Sequence, residues 1–285
     1  MRMNVTIVGL GLIGGSLAKA AALAGHSVRA ITRTPPQDAP FPVCRPEDGR
    51  ESIALADLVL VALPPAAVVP WIEANESNFK KGAVVVDATG VKAKVCEALR
   101  KYALQDRWTF VGGHPMAGKE VGGFTNSAAN LFVGASMILT PYPSCGRGPL
   151  DMLEAFFKEL GFGRVVFTTP EHHDRMIALT SQLAHVVSSA YARDPLALEH
   201  AGFSAGSFHD MTRVARLDPD VWTDLFLANR EALLDVLDGL LGRLADFRSA
   251  LDAADAAAMR DMLAEGRAAR LKACGMAMPP DEKGR

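Results

Sequence analysis

The stretch NVTIVGLGLIG, residues 4–14, decides the fold of the first half of the chain. It begins with a continuous apolar run, which is typical of a strand buried on both faces of a parallel sheet. Glycines follow at the spacing GxGxxG: Gly9 permits a tight turn, Gly11 lets a pyrophosphate approach the backbone, and Gly14 lets the next helix pack closely on the strand. The alternative is a fortuitous glycine turn, but a strand before the motif and a small-residue helix after it are the context that dinucleotide binding requires. The predicted cofactor-binding residues of this loop are Gly9, Gly11, Leu12, Ile13 and Gly14.

The end of the second predicted strand, residues 26–32, indicates which dinucleotide is used. Folds that bind NAD place an acidic residue there, which accepts hydrogen bonds from the ribose 2′-hydroxyl. This chain has Thr32, Arg33 and Thr34 instead. A guanidinium can pair with a 2′-phosphate and the two hydroxyls can donate to it, so NADP is favoured over NAD. The alternative is that Arg33 is an ordinary solvated surface charge.

Strands and helices alternate as far as residue 169, which predicts an α/β fold with a Rossmann-type, doubly wound parallel sheet. One buried strand, residues 55–63, ends at Pro64, and we expect Leu63 and Pro64 to line the cofactor site at the sheet edge. The remaining strands are predicted at residues 83–88, 134–140 and 164–168, and helices at residues 68–75, 91–104 and 150–160.

After Pro170 the pattern is helical only and rich in alanine and leucine. Helices are predicted at residues 175–192, 219–244 and 246–273, the last with one or two breaks. We therefore place a dinucleotide-binding domain at residues 1–169 and an all-helical substrate and dimerisation domain at residues 170–285. Helices this long and apolar in so small a lobe predict burial against a second copy of the chain, that is, a homodimer.

Composition excludes several classes of function. The 285 residues carry a net charge of −2, which gives no electrostatic reason to expect nucleic acid or an anionic membrane as a partner. The four cysteines are scattered without a CxxC pair or a histidine at ligand spacing, so neither a metal site nor a disulfide framework is predicted. With no signal segment and no apolar run approaching the roughly 20 residues that span a bilayer, a cytoplasmic location is expected.

The segment GGHPMAGKEVGGF, residues 112–124, places one titratable side chain, His114, in a predicted loop between the α/β and helical regions. A neutral imidazole with a pKa near ~6.5 is the usual group for taking a proton at physiological pH. His114 is therefore the candidate catalytic base. The alternative is a hydrogen-bonded loop histidine whose neighbouring glycines only allow tight turns.

With these motifs, the chain resembles the prephenate/arogenate dehydrogenase family, the oxidoreductases of tyrosine biosynthesis. The resemblance covers nearly the whole chain, and its family pairs an N-terminal dinucleotide domain with a helical dimerisation domain. Besides the two glycine-rich segments, it rests on DATGVKAK at residues 87–94, PEHHDRMIALTSQLAH at residues 170–185 and FHDMTRVARLDPDVWTDLFLANR at residues 208–230.

The resemblance implies oxidative decarboxylation of prephenate or arogenate. Hydride leaves C4 of a cyclohexadienol for NADP or NAD, the 4-hydroxyl loses its proton, and the ring carboxylate leaves as carbon dioxide. The products are 4-hydroxyphenylpyruvate and tyrosine, respectively. Because aromatisation drives the reaction, the enzyme mainly has to position groups and handle one proton.

The resemblance also implies roles for individual residues. His114 accepts the hydroxyl proton, Arg213 grips a substrate carboxylate through its planar guanidinium, and His185 lines the substrate pocket. Trp222 supports that pocket by packing. The alternatives are a helix-end or interface salt bridge for Arg213 and a satisfied histidine on a packed helix for His185.

Two departures from the family pattern concern substrate contact. Gly90 stands where many members have a serine that is thought to assist the catalytic histidine, so Thr89 or water would have to do so. Gln182 stands in the place of a histidine, because residues 181–185 read SQLAH and many members read SHLPH. Thr89 and Gln182 are accordingly predicted to be substrate-binding residues.

Three questions stay open at this point. Asp194 could favour arogenate by meeting its cationic nitrogen, or be an exposed helix-end aspartate. A catalytically silent NADP-binding sensor would share the fold but would need neither His114 nor Arg213. Another small-acid dehydrogenase of similar build would be expected to carry a catalytic lysine, and this chain has none between Glu159 and Arg270.

Overall fold

The computed structural model describes residues 2–119 and 121–275. The chain divides into two compact units, residues 1–233 and 234–285, with the division inside a long helix. The domain boundary at residues 169 and 170 follows the change from mixed to helical structure and stays a prediction.

The first unit contains an eight-stranded sheet. Its strands are β1 (Asn4–Val8), β2 (Ser27–Ile31), β3 (Val43–Cys44), β4 (Leu58–Val61), β5 (Ala83–Asp87), β6 (Trp108–Pro115), β7 (Ser136–Pro141) and β8 (Arg164–Phe167). The spatial order is β3-β2-β1-β4-β5-β6-β7-β8, and every neighbouring pair except β6 and β7 is parallel. The predicted doubly wound, Rossmann-type sheet is thereby confirmed.

The helices begin with α1 (Leu12–Leu23), α2 (Arg50–Leu55), α3 (Pro65–Asn75), α4 (Ala93–Ala98) and α5 (Arg147–Glu159). They continue with α6 (Pro170–Ile177), α7 (Leu183–Ala192), α8 (Gly206–Thr212), α9 (Pro219–Ala228), α10 (Arg230–Asp252) and α11 (Ala256–Ala273). Within the described part of the chain, none of these helices has the length and apolar character needed to cross a membrane.

The sheet is buried on both faces, which explains the continuous apolar runs in the sequence. Successive residues of β4 alternate between two hydrophobic clusters: Leu58 and Leu60 belong to one, Val59 and Val61 to the other. Helices α1 and α5 pack in the first cluster, and α2, α3 and α4 in the second. Two helical layers therefore enclose the sheet and leave its carboxyl edge for the site.

The pairing of β6 with β7 differs from the all-parallel expectation. Gly113 pairs with Leu139 and His114 with Ile138 in an antiparallel ladder. Parallel neighbours need a long crossover, usually a helix, whereas the segment between β6 and β7 contains only a short 3-10 turn at Phe124–Asn126 among its described residues. The chain therefore returns antiparallel, and the predicted loop at residues 112–124 begins as strand.

The helical region also differs in its breaks. The predicted helix at residues 175–192 is α6 and α7 joined by a π-helical turn, Ala178–Gln182. The break predicted near residue 245 lies instead at Asn229, whereas residues 253–255 form one of the breaks predicted within residues 246–273. Asp255 ends the second of these breaks, because its carboxylate accepts hydrogen bonds from the backbone N–H groups of Ala257 and Ala258 and caps α11.

The glycine loop after β1 has the crowded geometry that its motif predicts. Gly9 adopts φ +90°, and a Cβ at Gly14 would lie 1.9 Å from the Gly9 carbonyl oxygen. A Cβ at Gly11, by contrast, would meet nothing within 4 Å. Helix and strand therefore touch at Gly14, and open space remains beside Gly11 at the start of α1.

A buried ion pair lies at the end of β5, and its carboxylate is hydrogen-bonded to β6. The side chains of Asp87 and Lys92 are both 0% exposed, and the Lys92 ammonium donates to Asp87 Oδ2. Asp87 Oδ1 accepts from the backbone N–H of Gly113 at 3.1 Å, next to His114. Thr89 Oγ1 donates to Asp87 Oδ2 at 2.5 Å and accepts from Lys92 Nζ at 2.9 Å. Both ions are thus paired and further hydrogen-bonded, which burial of charge requires.

Replacing Lys92 by methionine is expected to lower the free energy of unfolding by about 3–5 kcal/mol, because Asp87 would remain buried without its counter-ion. The matched control is Lys101→Met, which removes an exposed ion pair with Glu73 and should change stability little. Chemical denaturation of both variants measures the difference. The double variant Asp87→Asn/Lys92→Met should recover part of the loss, and equal stability of Lys92→Met and Lys101→Met would contradict the assignment.

Candidate active site

His114 lies on β6, at the carboxyl edge of the sheet. Its backbone pairs with Ile138 of β7, so the sheet rather than a loop holds the residue. Part of the residue remains accessible to solvent. The sequence predicted a loop here because glycine and proline surround the histidine. The correction is that the antiparallel ladder with β7 extends β6 through Pro115.

Two imidazoles and a carboxylate form a chain of hydrogen bonds at this edge. His114 Nδ1 lies 2.9 Å from His173 Nε2, and His173 Nδ1 lies 2.7 Å from Asp174 Oδ1. His173 is 1% exposed and Asp174 is 5% exposed. Both come from α6, 59 and 60 residues beyond the histidine of β6 in the chain. The site therefore joins the sheet to the first helix of the helical region.

Asp174 also caps the first turn of α4. Its Oδ1 accepts from the backbone N–H of Lys92 and its Oδ2 from that of Ala93, both at 2.8 Å. These N–H groups have no partner within the helix, and an anion is favoured at a helix N-terminus. One carboxylate thus contacts α4 and the histidine pair at once.

The Nε2 edge of His114 faces Gly90 and Leu225. A Cβ at Gly90 would lie 3.8 Å from His114 Nε2 and Cε1, and 3.4 Å from Leu225 Cδ2. Within residues 2–119 and 121–275, His114 hydrogen-bonds through Nδ1 to His173, and its Nε2 has no partner. The missing side chain at position 90 leaves space in front of that nitrogen.

The surroundings favour the neutral form of His114. Burial of the imidazole lowers the pKa of His114 well below its ordinary value of 6.5, and the neighbouring His173 and Lys92 side chains act in the same direction. A neutral imidazole with one unshared nitrogen can accept a proton, so the arrangement can supply a base at neutral pH.

Two predicted substrate-binding residues are engaged inside the protein. Thr89 is 4% exposed, and its hydroxyl bonds Asp87, Lys92 and the backbone carbonyl of Val91. The described hydrogen bond of His114 goes to His173 and not to Thr89. Thr89 or water was predicted to assist His114, whereas His173 is the residue that contacts the imidazole of His114 in the structure.

Gln182 is 2% exposed and belongs to a buried amide network. Its Nε2 donates to the carbonyl of Leu225 at 3.1 Å, and its Oε1 accepts from Asn229 Nδ2 at 2.7 Å. Asn229 Nδ2 also donates to the carbonyl of Asp174 at 2.9 Å. The network joins the π-helical turn and the end of α9 to the carboxylate of the site.

His185 and Trp222 stack on each other. Their ring centroids are 3.6 Å apart at an interplanar angle of 26°. His185 Nδ1 lies 2.9 Å from the carbonyl of Ser181, to which it donates, so Nε2 is left without a proton in the neutral ring. Trp222 precedes Leu225 by three residues on α9, which puts the two side chains on the same helix face.

Arg213 begins a 3-10 turn directly after α8 and is exposed. In the described part of the chain it takes part in no ion pair, and α7 packs against its turn. Asp194 is also exposed, and its carboxylate accepts from the backbone N–H of Leu196 at 2.9 Å, as a helix-end aspartate does.

The predicted cofactor-binding residues lie at the carboxyl ends of β1, β2 and β4, where the strand order reverses and such sheets bind nucleotides. Thr32 continues β2, and its backbone N–H donates to the Cys44 carbonyl at 3.0 Å, which brings Arg45 to the same edge as Arg33. Leu12 is buried, Ile13, Leu63 and Thr32 are partly exposed, and Arg33, Thr34 and Pro64 are exposed. Open space beside Gly11 and the start of α1 suit a pyrophosphate, so these residues fit a dinucleotide.

Sequence reasoning missed Asp87, Lys92, His173 and Asp174. Asp87 follows a buried apolar strand, the position at which polar residues enter the sites of parallel sheets. His173 and Asp174 stand in the first turns of the first helix after the sheet. Neither sequence position indicates which residues these side chains contact. Among the described residues, no group of three or more histidine, cysteine, aspartate or glutamate side chains is arranged to hold a metal ion.

Known proteins share both halves of this chain. The family models for the nucleotide-binding and the dimerization domains of prephenate dehydrogenase match residues 41–167 and 169–265. The cyclohexadienyl dehydrogenase of Zymomonas mobilis subsp. mobilis is 31% identical over 94% of this chain and 95% of its own length.

Two solved structures are similar to nearly the whole of this chain. Synechocystis arogenate dehydrogenase has a TM-score of 0.81 and 26% identity, over 95% of this chain and 99% of that chain. Prephenate dehydrogenase from A. aeolicus, in complex with hydroxyphenyl propionate and NAD+, has a TM-score of 0.82 and 25% identity, over 95% and 98%. With the glycine loop, the histidine at the sheet edge and matches over both halves, the chain belongs to the prephenate dehydrogenase family.

Proposed function

We propose that this protein catalyses the oxidative decarboxylation of prephenate, arogenate or both, with hydride transfer to NADP or NAD. The observation that carries the proposal is His114, a neutral imidazole at the carboxyl edge of a dinucleotide-binding sheet, whose Nε2 lies beside Gly90 and has no hydrogen-bond partner among the described residues. Membership of the family supports the same reaction.

The dinucleotide would be held by the loop after β1, with its pyrophosphate beside Gly11 and the N-terminus of α1. Leu63 and Pro64, at the end of β4, would line the same crevice. When bound, the nicotinamide ring supplies the acceptor for the hydride that leaves C4 of the substrate.

His114 Nε2 would accept the proton of the substrate's 4-hydroxyl as the hydride leaves C4, so that a C4 carbonyl forms. The bond between the ring and its carboxylate then breaks, carbon dioxide leaves, and the electron pair enters the ring. The C4 oxygen becomes a phenol oxygen and takes back a proton. The gain of aromaticity drives this step, so the protein has to orient the substrate and hold one proton.

Arg213 would pair with a substrate carboxylate, and His185 would line the pocket with Trp222 stacked behind it. The absence of an ion pair of Arg213 within the described residues supports this role over a helix-end salt bridge within the same chain. Thr89 and Gln182 would support the site instead of contacting substrate, because their polar atoms are engaged with protein groups.

NADP would be preferred over NAD. Arg33 and Arg45 stand at neighbouring strand ends, joined by the hydrogen bond from Thr32 N to Cys44 O, and neither forms an ion pair in the part of the chain that the structure describes. Two free guanidinium groups suit a 2′-phosphate. The A. aeolicus structure contains NAD+, so this preference would come from the residues of this chain.

A homodimer through the C-terminal helices is part of the proposal, as is the cytoplasmic location expected from the sequence. Residues 169–265 match a dimerization domain. Leucines stand exposed on α10 and α11 of the second unit, at Leu241, Leu244, Leu251 and Leu263. Exposed apolar side chains in such numbers are typical of a surface that a second copy covers.

Steady-state reduction of NADP and NAD, each with prephenate and with arogenate, tests the function together with His114→Asn. The variant is expected to lose about 10²–10⁴-fold in kcat, the contribution of a positioned general base, while still binding dinucleotide. His209→Asn, which changes an exposed histidine, is the control and should keep full activity. Full turnover by His114→Asn would refute the base. Dinucleotide binding by the wild-type protein with no turnover of either substrate would favour the sensor.

The pH dependence of kcat/KM should show the lowered pKa of His114. A base works when deprotonated, so activity is expected to hold through pH 6.5 and to fall only at lower pH, as His114 becomes protonated. Initial rates between pH 4.5 and 8, with stability checked at each pH, provide the profile. An acid limb centred above 6.5 would contradict the assignment.

Arg33→Leu is expected to raise the KM for NADP about tenfold and to leave the KM for NAD unchanged, because only NADP carries the 2′-phosphate. Arg29→Leu, in the middle of the same strand, is the matched control. Binding of 2′,5′-ADP by calorimetry gives a readout that does not need substrate. An equal change for both dinucleotides would show that Arg33 does not recognise the phosphate.

A further inference from the structure

Position 90 is a glycine, so it offers His114 no side-chain hydrogen-bond partner, and the described partner of the imidazole is His173. We propose that Asp174 and His173 are positioning residues that fix His114 in the tautomer with its proton on Nδ1, and that this Asp–His–His relay orients the base. The inference rests on the proposed role of His114 as base.

Asp174 determines which nitrogen of His173 carries a proton. Its two oxygens receive the backbone N–H groups of Lys92 and Ala93 and the Nδ1 edge of His173, at 2.7–2.8 Å. An ionised carboxylate is an acceptor only and satisfies all three donors at once. The Nδ1 atom of His173 therefore carries a proton and donates it to Oδ1. The start of α4 holds the carboxylate in place, so this orientation is built into the fold.

The proton position on His173 determines which nitrogen of His114 carries a proton. With its proton on Nδ1, neutral His173 presents an unshared pair on Nε2, and His114 Nδ1 lies 2.9 Å away. Two unshared pairs cannot face each other at that distance, so His114 must donate from Nδ1. Its own Nε2 is then free of hydrogen and open toward Gly90 and Leu225. The relay thus selects the tautomer that a base needs.

The relay also affects the charge that forms during the reaction. When His114 Nε2 takes a proton, the imidazolium shares its Nδ1 proton with His173 Nε2, and the positive charge spreads toward the Asp174 carboxylate. The other charged groups that face the pair are Lys92, which opposes a positive charge on His114, and Asp87, its partner in the buried ion pair. The Asp174 carboxylate is hydrogen-bonded directly to His173, and its sign favours the protonated pair.

Three variants and one control test the relay. Asp174→Asn is expected to lose roughly tenfold or more in kcat with little change in KM, because its neutral amide no longer places a negative charge behind the protonated histidine pair. His173→Leu should lose a comparable factor, whereas His173→Gln, whose amide oxygen can still accept from His114 Nδ1, should retain at least tenfold more activity than His173→Leu. His172→Gln changes the exposed neighbouring histidine and should behave as the wild type.

Nitrogen-15 NMR of the histidine rings supplies a readout that a structural role would not move. The wild-type spectrum should show His114 with a protonated Nδ1 and an unprotonated Nε2, assigned by comparison with His114→Asn. His173→Leu should populate both tautomers of His114, because His114 Nδ1 then lacks the acceptor on His173. Thermal unfolding of each variant separates lost positioning from lost stability. If Asp174→Asn does not fold, the two His173 variants decide.

The relay is overturned if wild-type His114 carries its proton on Nε2, or if His173→Leu and His173→Gln lose activity equally while remaining folded. Retention of kcat in Asp174→Asn would overturn it as well. These outcomes differ from failure of the proposed function, in which His114→Asn itself keeps its turnover.

Discussion

The carboxylate of Asp174 is the interaction on which the arrangement of the site depends. It belongs to α6, yet it satisfies the orphan N–H groups at the start of α4, a helix that follows strand β5. A buried anion is tolerated only where its oxygens are hydrogen-bonded, and here two backbone donors and an imidazole provide those bonds. The two carboxylate oxygens of Asp174 cap α4 and also accept the hydrogen bond from His173. The beginning of the helical region is thereby fixed to the sheet at the point where the chemistry is proposed.

The charges around His114 follow a simple balance. Two carboxylates, Asp87 and Asp174, stand against one ammonium, Lys92, so the cluster carries one uncompensated negative charge while both histidines are neutral. Burial and Lys92 keep the resting imidazole neutral. The Asp174 carboxylate, which is hydrogen-bonded to His173, lowers the free-energy cost of protonating His114 during the reaction. Preorganised groups of this kind stabilise charge as it develops without having to reorient.

Much of the fold was predictable because its signals are local. Strands buried on both faces appear as unbroken apolar runs, and the glycine spacing after β1 is a local steric requirement at Gly9 and Gly14. The family resemblance was visible in the motifs before any geometry was known, and matches over both halves of the chain confirmed the family.

The remaining features depend on contacts between distant parts of the chain. No feature of the nearby sequence distinguishes Lys92, which is buried, from Lys94, which is exposed two residues later. Lys92 can be buried because its ammonium pairs with Asp87 at the end of β5. His173 becomes a partner of His114 only through the packing of α6 on the sheet. Thr89 and Gln182 were assigned by position in a motif, whereas their environments engage them with neighbouring protein groups. Strand β7 turned antiparallel because its connection lacks a crossover helix, which no alternation of apolar residues reveals.

The π-helical turn at Ala178–Gln182 sets the angle between the two parts of the site. An α-helix advances about 100° and 1.5 Å per residue, so the single extra residue of such a turn rotates everything after it by about that angle. Along a regular helix, the face carrying His173 and the face carrying His185 would have a different relative orientation. The π-helical turn changes the relative orientation of these two faces. One continuous segment can therefore present His173 on one side and His185, which stacks on Trp222, on another.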